Sequence, residues 1–205
     1  MPTDYHHPNL RASLLAEGRS LLISEGYAHF SLRKLAQGLG VSHNAPYRHF
    51  ASREELILAI VREDQARFDA ALAAGIEGVA DPEERLYRLG EAYVGFFLDN
   101  PEVLLLFQIL SERIGFQGEA IVSLFTGTAC AEAREGGSGE RDGYALLAEA
   151  ARPLAPRFPG LSEGEILLGF WAKVHGLASL LVSKPEYLPA EGRRERVARL
   201  VRTAF

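Results

Sequence analysis

Apolar positions recur at a helical period along most of the chain. Leu56, Ile57, Ile60, Val61 and Phe68 share one face of a 3.6-residue repeat, and so do Leu32, Leu35, Ala36 and Leu39. The run "ILLGFWAKVHGLASLLVS" from Ile166 to Ser183 is apolar on nearly every side, as expected of a helix covered by its own domain on one flank and by a second surface on the other. Strand-like alternation with hairpin turns is absent. Start signals are legible. Ser52 with Glu55, Asp81 with Glu84 and Ser162 with Glu165 have capping-box spacing, and Pro82 and Pro101 stand at first-turn positions where a missing N–H costs nothing. The pattern predicts helices over 9–25, 31–38, 42–49, 52–74, 83–99, 101–113, 117–133, 143–157, 162–183 and 190–203. Arg134 to Gly143, "REGGSGERDG", reads as a loop. The expected fold is all-α, with residues 1–61 as a three-helix unit and 62–205 as a second helical domain. The helix from 52 links the two.

The two short helices after residue 31 are separated only by "GLGVS", and a helix, a glycine-containing turn and a second short helix make a helix-turn-helix. Leu32, Leu35, Ala36 and Leu39 bury one face, Val41 closes the turn and Phe50 plugs the end. His43, Asn44, Ala45, Tyr47 and Arg48 are left facing outward, and Ser42 just before them is a further DNA-binding candidate. An asparagine amide can pair bidentately with adenine, an arginine can fork onto guanine or phosphate, and a small alanine can meet a thymine methyl. Tyr47, His49, Ser31, Arg33, Lys34 and Arg53 are the expected phosphate donors. Taken one at a time each is an ordinary solvated side chain; the turn-linked pair of helices turns them into a candidate surface.

Charge sharpens that reading. The 205-residue chain carries a net charge of -5. Residues 1–60 hold six Lys and Arg against five Asp and Glu, the rest sixteen against twenty-two, and five of the six histidines precede residue 50. A polyanion would be met by the N-terminal quarter. The lone Cys130 excludes an intrachain disulfide and leaves zinc-finger patterns without ligands. No uncharged apolar stretch of about 18 residues and no signal-peptide pattern occurs, so a cytoplasmic protein with no membrane partner is expected. No cofactor or metal site is indicated.

"GYAHFSLRKLAQGLGVSHNAPYRHFASREELILAIV", Gly26 to Val61, resembles the DNA-binding domain of the TetR family of transcriptional regulators. The shared features are the glycine after the first helix, Ser-x-Arg, Leu-Ala, Gly-Val-Ser, Tyr-x-His-Phe and Ser-Arg-Glu-Glu-Leu. The resemblance implies a homodimer, usually a repressor, that reads a palindromic operator. It also implies C-terminal helices that bind a small apolar or amphipathic effector. The sequence departs from the family at Pro46, where a large apolar residue is common. A proline there removes a first-turn hydrogen bond to Ser42, which predicts a short reading helix with a loosened start.

Trp171, His175 and Gly176 form a Trp-x-x-x-His-Gly pattern, similar to a C-terminal class within that family. Tyr93, Phe96, Phe97, Phe107 and Phe125, with Trp171 and His175, are the candidate pocket, against the plainer reading of an aromatic core and a hydrogen-bonded core histidine. Gly169, Ala172, Gly176, Ser179 and Ser183 recur at 3-4-3-4 spacing, a stripe of small residues suited to close helix packing. Periodicity leaves open whether that packing is within one chain; the resemblance favours a dimer seam. Two rivals remain: a helical enzyme, for which no nucleophile elbow, Walker loop, dinucleotide fingerprint or metal cluster is present, and an effector-independent DNA-architectural module, which predicts a filled C-terminal core.

Overall fold

The structure is a computed structural model that describes residues 9–106 and 142–203. Phe107, Phe125, Cys130, His6, His7 and the helices and loop expected across 107–141 lie outside the described residues. Among the described residues every regular element is helical: α1 (Leu10–Glu25), α2 (Leu32–Gly38), α3 (Arg53–Gly75), α4 (Pro82–Asp99), α5 (Gly143–Ala151), α6 (Glu163–Ser183) and α7 (Arg193–Arg202). Residues 101–106 are helical too.

The helix starts follow the capping chemistry with instructive differences. At α6 the box is complete: Glu165 N donates to Ser162 Oγ at 3.3 Å and Ser162 N to Glu165 Oε2 at 2.8 Å. At α4 only half forms. Glu84 N donates to Asp81 Oδ1 at 2.8 Å, but the Glu84 carboxylate is turned toward the guanidinium of Arg202. At α3 Glu55 N donates to Ser52 Oγ at 3.1 Å, while the Glu55 carboxylate accepts from Ala51 N rather than Ser52 N. The helix expected over 143–157 ends as an α-helix at Ala151 and continues as a 3-10 turn, Arg152–Arg157. Pro153 and Pro156 withdraw donors there.

The chain divides into two compact units, the first built on residues up to Asp64 and the second on Gln65–Leu104 with the C-terminal part. In the first, Leu14 and Leu22 of α1, Leu32, Leu35 and Ala36 of α2 and Leu56, Ile57, Ile60 and Val61 of α3 are buried, closed off by Phe30 and Phe50. Gly18 lets α1 lie close on α3, since a Cβ there would stand 3.0 Å from Ile60 Cδ1. Next to it, Arg19 grips the fully buried Asp64 through both carboxylate oxygens, at 2.8 and 3.1 Å.

In the second unit α4 is the central helix, packed by α5, α6 and α7. Phe68 meets Tyr93 and Phe96 edge-on, both with ring centroids 5.3 Å away, and Tyr93 meets Phe97 at 5.1 Å, the edge-to-face geometry that aromatic quadrupoles favour. On α6 the residues Ile166, Leu167, Phe170, Val174, Ala178 and Leu181 are buried. By length and composition alone α6 could cross a membrane, but this buried face is what a core helix requires. Its other side is apolar and uncovered. Leu161, just before α6, is 51% exposed and Leu168 and Leu180 are 58% and 56% exposed. A Cβ at Gly169 or Gly176 would meet nothing within 4 Å.

The reading segment differs from expectation. Residues 42–49 form no α-helix; three turn residues lead into a 3-10 turn, Pro46–Arg48. Pro46 has no N–H to give the Ser42 carbonyl, so Ala45 N takes that acceptor at 2.9 Å, and Arg48 N and His49 N then bond three residues back, to Ala45 and Pro46. The expected loosening of the first turn extends over the whole element.

Candidate nucleic-acid interface and apolar cavity

Two buried rings fasten the segment between Val41 and Phe50. Pro46 is buried, standing where an apolar anchor is needed, and Phe50 is 2% exposed. Before them Gly40, at φ 65°, takes the left-handed conformation that ends the turn after α2. With the apolar groups turned inward, Ser42, His43, Asn44, Arg48 and His49 are exposed, Tyr47 is 53% exposed and Ala45 is intermediate. The structure therefore brings the expected base-reading residues onto one short outward element.

The expected phosphate donors fall into two groups. Arg33 and Arg48 are exposed and have no charged partner among the described residues. Lys34 is paired with the Glu25 carboxylate. Arg53 lies over the Tyr27 ring at 4.6 Å and pairs with Glu54 at 2.6 Å. To meet a phosphate, those two cations would have to give up an existing partner. The Ser31 oxygen accepts from Lys34 N at 3.2 Å as the cap of α2, which leaves its proton available to donate. Sequence reasoning passed over Arg11, whose guanidinium stands 5.4 Å from the centroid of the Phe50 ring, beside the reading element. It sits 39 positions upstream on another helix, and no periodicity links the two.

In the second unit a cavity opens between α3, α4, α5 and α6. Its walls are Phe68, Leu72, Leu86, Leu89, Gly90, Tyr93, Gly143, Tyr144, Leu147, Phe170, Trp171 and Val174, and its empty volume is about 550 Å³ including the mouth. None of these side chains carries a formal charge. Of the residues singled out from sequence, Tyr93 and Trp171 line it. Phe96 and Phe97 pack behind Tyr93, and His175 stands outside the lining but 2.9 Å from the Tyr93 hydroxyl through Nδ1. The Trp171 indole N–H donates to the same hydroxyl at 3.2 Å, and the indole and imidazole rings are stacked at 5.1 Å. Burial pushes the Tyr93 phenol above its ordinary pKa and lowers that of His175, so at neutral pH both are uncharged. Gly143 is a requirement of the wall: a Cβ there would lie 2.7 Å from Leu72 Cδ1, and its N–H donates to Asp69 Oδ1 at 2.9 Å.

Residues 14–60 match the family described as bacterial regulatory proteins, tetR family. The transcriptional repressor AcnR of Corynebacterium efficiens is 32% identical over 82 residues, 38% of this chain and 44% of that protein, so the chain spans less than half the length of this relative. Along its whole length the chain is similar to a solved protein of unknown function from Rhodococcus sp. RHA1, with 28% identity, a TM-score of 0.65 and coverage of 98% and 96% of the two chains. It is also similar to the TetR family transcriptional regulator PfmR of Thermus thermophilus, with 25% identity, a TM-score of 0.62 and coverage of 91% and 89%. Residues 14–60 thus match the tetR family of bacterial regulatory proteins, and the all-helical fold is similar to that of a regulator of this family.

Proposed function

We propose that the protein is a one-component transcriptional repressor of the cytoplasm, which binds a palindromic operator as a homodimer and is controlled by a small molecule held in the apolar cavity of its second unit. The observation that carries the reading is the outward row His43, Asn44, Tyr47 and Arg48 on an element pinned by the buried Pro46 and Phe50. Residues able to read base edges are held in fixed positions beside free cations. The relative named as a repressor supports the sign of regulation.

The dimer is supported by the outer face of α6. Gly169, Ala172, Gly176, Ser179 and Ser183, bordered by Leu168 and Leu180, form an apolar surface with room for another backbone. Contiguous apolar patches of that kind are uncommon on monomers. The cavity supports effector control over an architectural role, for which the second unit would be filled.

Selection from a random duplex pool tests the proposal. An inverted repeat should be enriched, because two heads related by a twofold axis read inverted half-sites. Arg48→Ala should weaken binding to the selected duplex, and rising salt should weaken the wild type. A pool with no enriched sequence would overturn the reading.

A further inference from the structure

The cavity's polar groups select among ligands by more than size. Among the described residues, Tyr93, Tyr144 and Trp171 supply the only polar side-chain atoms of its lining. The Trp171 N–H is already donated to Tyr93 Oη. An indole can only donate, so the phenol oxygen is the acceptor of this bond. The Tyr93 proton has one acceptor among the described residues, Nδ1 of His175 at 2.9 Å. Leaving that proton without an acceptor in a site 8% exposed would cost its full desolvation, and the tautomer that avoids this cost accepts through Nδ1 and carries its own proton on Nε2. The lowered pKa of His175 agrees with a neutral ring. With its proton committed to His175, Tyr93 Oη has nothing left to donate and meets any further group only as an acceptor.

We propose, on the reading that this cavity holds the effector, that it takes an uncharged and largely hydrocarbon molecule bearing a hydrogen-bond donor, a hydroxyl or an N–H, which donates to Tyr93 Oη. A carboxylate brings acceptors to an acceptor and finds no cation among the described residues of the lining to offset its lost hydration. An ether of the same length fills the space but leaves Tyr93 Oη unmet. Tyr144 does not remove the distinction between donor and anion, because its hydroxyl adds no charge.

The protein carries its own reporter, since Trp171 is the only tryptophan in the chain. The full-length protein should be titrated at pH 7.5 with 1-octanol, 1-methoxyoctane and octanoate while Trp171 emission is followed. The expected result is saturable binding of 1-octanol, at least tenfold tighter than the ether or the carboxylate, as sites built around a hydroxyl discriminate against analogues lacking it. In Tyr93→Phe the alcohol and the ether should come within about threefold of each other, because the phenolic acceptor is gone. The wild-type series decides the matter even where that variant folds poorly. Octanoate or the ether binding as tightly as the alcohol would overturn the ligand class and leave the pocket standing. No saturable response to any of the three would overturn the pocket and the inference together.

Discussion

Replacing Gly90 by alanine measures how tightly α6 and α7 close on α4. Gly90 is buried in α4, and an added Cβ would lie 2.7 Å from Val201 Cγ1 and 3.1 Å from Val174 Cγ1. Carbon atoms pack at about 3.5–4.0 Å, so α7 must retreat by roughly 1 Å. Rotation offers little relief, because a β-branched side chain in a helix is held near one rotamer, and Val201 is fully buried. Overpacking of this kind costs about 1–3 kcal/mol. Against it, alanine is about 0.8–1 kcal/mol better than glycine inside a helix. The expected net effect is a loss of about 1 kcal/mol, read as a lower urea midpoint at unchanged slope and a melting temperature lower by about 2–4 °C. Val201→Ala alone should cost about 2 kcal/mol for its two lost methyl groups. The same truncation makes room for the new Cβ, so the double variant should fall short of the summed losses by about 1 kcal/mol. A stabilising Gly90→Ala, additive with Val201→Ala, would refute the close crossing.

Pro46→Leu should change stability by less than about 1 kcal/mol, since the restored donor and the lost rigidity of the unfolded chain offset each other; duplex selection should nonetheless return an altered preference, as residues 43–49 wind toward an α-helix. Gly176→Leu should overfill the proposed seam on α6 and shift the protein toward monomer in light scattering, with operator affinity falling in parallel; an unchanged dimer would place the seam elsewhere. The hydrogen bond from Arg202 holds the Glu84 carboxyl down to about 2. The link between α4 and α7 is therefore fully present above the ordinary glutamate value and is lost as pH falls from there toward 2. Arg202→Ala should cost about 1 kcal/mol at pH 7, modest because the pair is a third exposed, and should flatten the acid limb of a melting profile; a limb as steep as that of the wild type would remove the assignment.

Helix positions were legible because their starts depend on local chemistry. Ser162 and Glu165 satisfy each other across three residues, and nothing distant intervenes. The same signal half-failed at Asp81, because Arg202, 118 positions from Glu84, competes for the carboxylate. The reading element shows the limit of periodicity: its outward residues were evident, but Pro46 decides its backbone by withholding one donor. The cavity was the least legible. Tyr93, Trp171 and His175 meet across 82 residues or fewer, and their aromatic and polar character singled them out. Phe68, Leu72, Leu147 and Val174 look like any core residues until four helices converge around an unfilled volume. Gly143 carried no sequence signal at all, because its role is the absence of a Cβ beside Leu72.

The bare outer side of α6 makes the abundance of the chain a thermodynamic variable. In the proposed dimer a second copy seated on that face would bind the folded chain and not the unfolded one, and so draw the folding equilibrium forward by mass action. Melting temperature should then climb with protein concentration, and half-repression should depend on the copy number of the regulator more steeply than one head per site would give. On the proposed dimer, chains at low copy number are the least protected, with Leu161, Leu168 and Leu180 in water, and dilution would weaken the fold and the grip on an operator together.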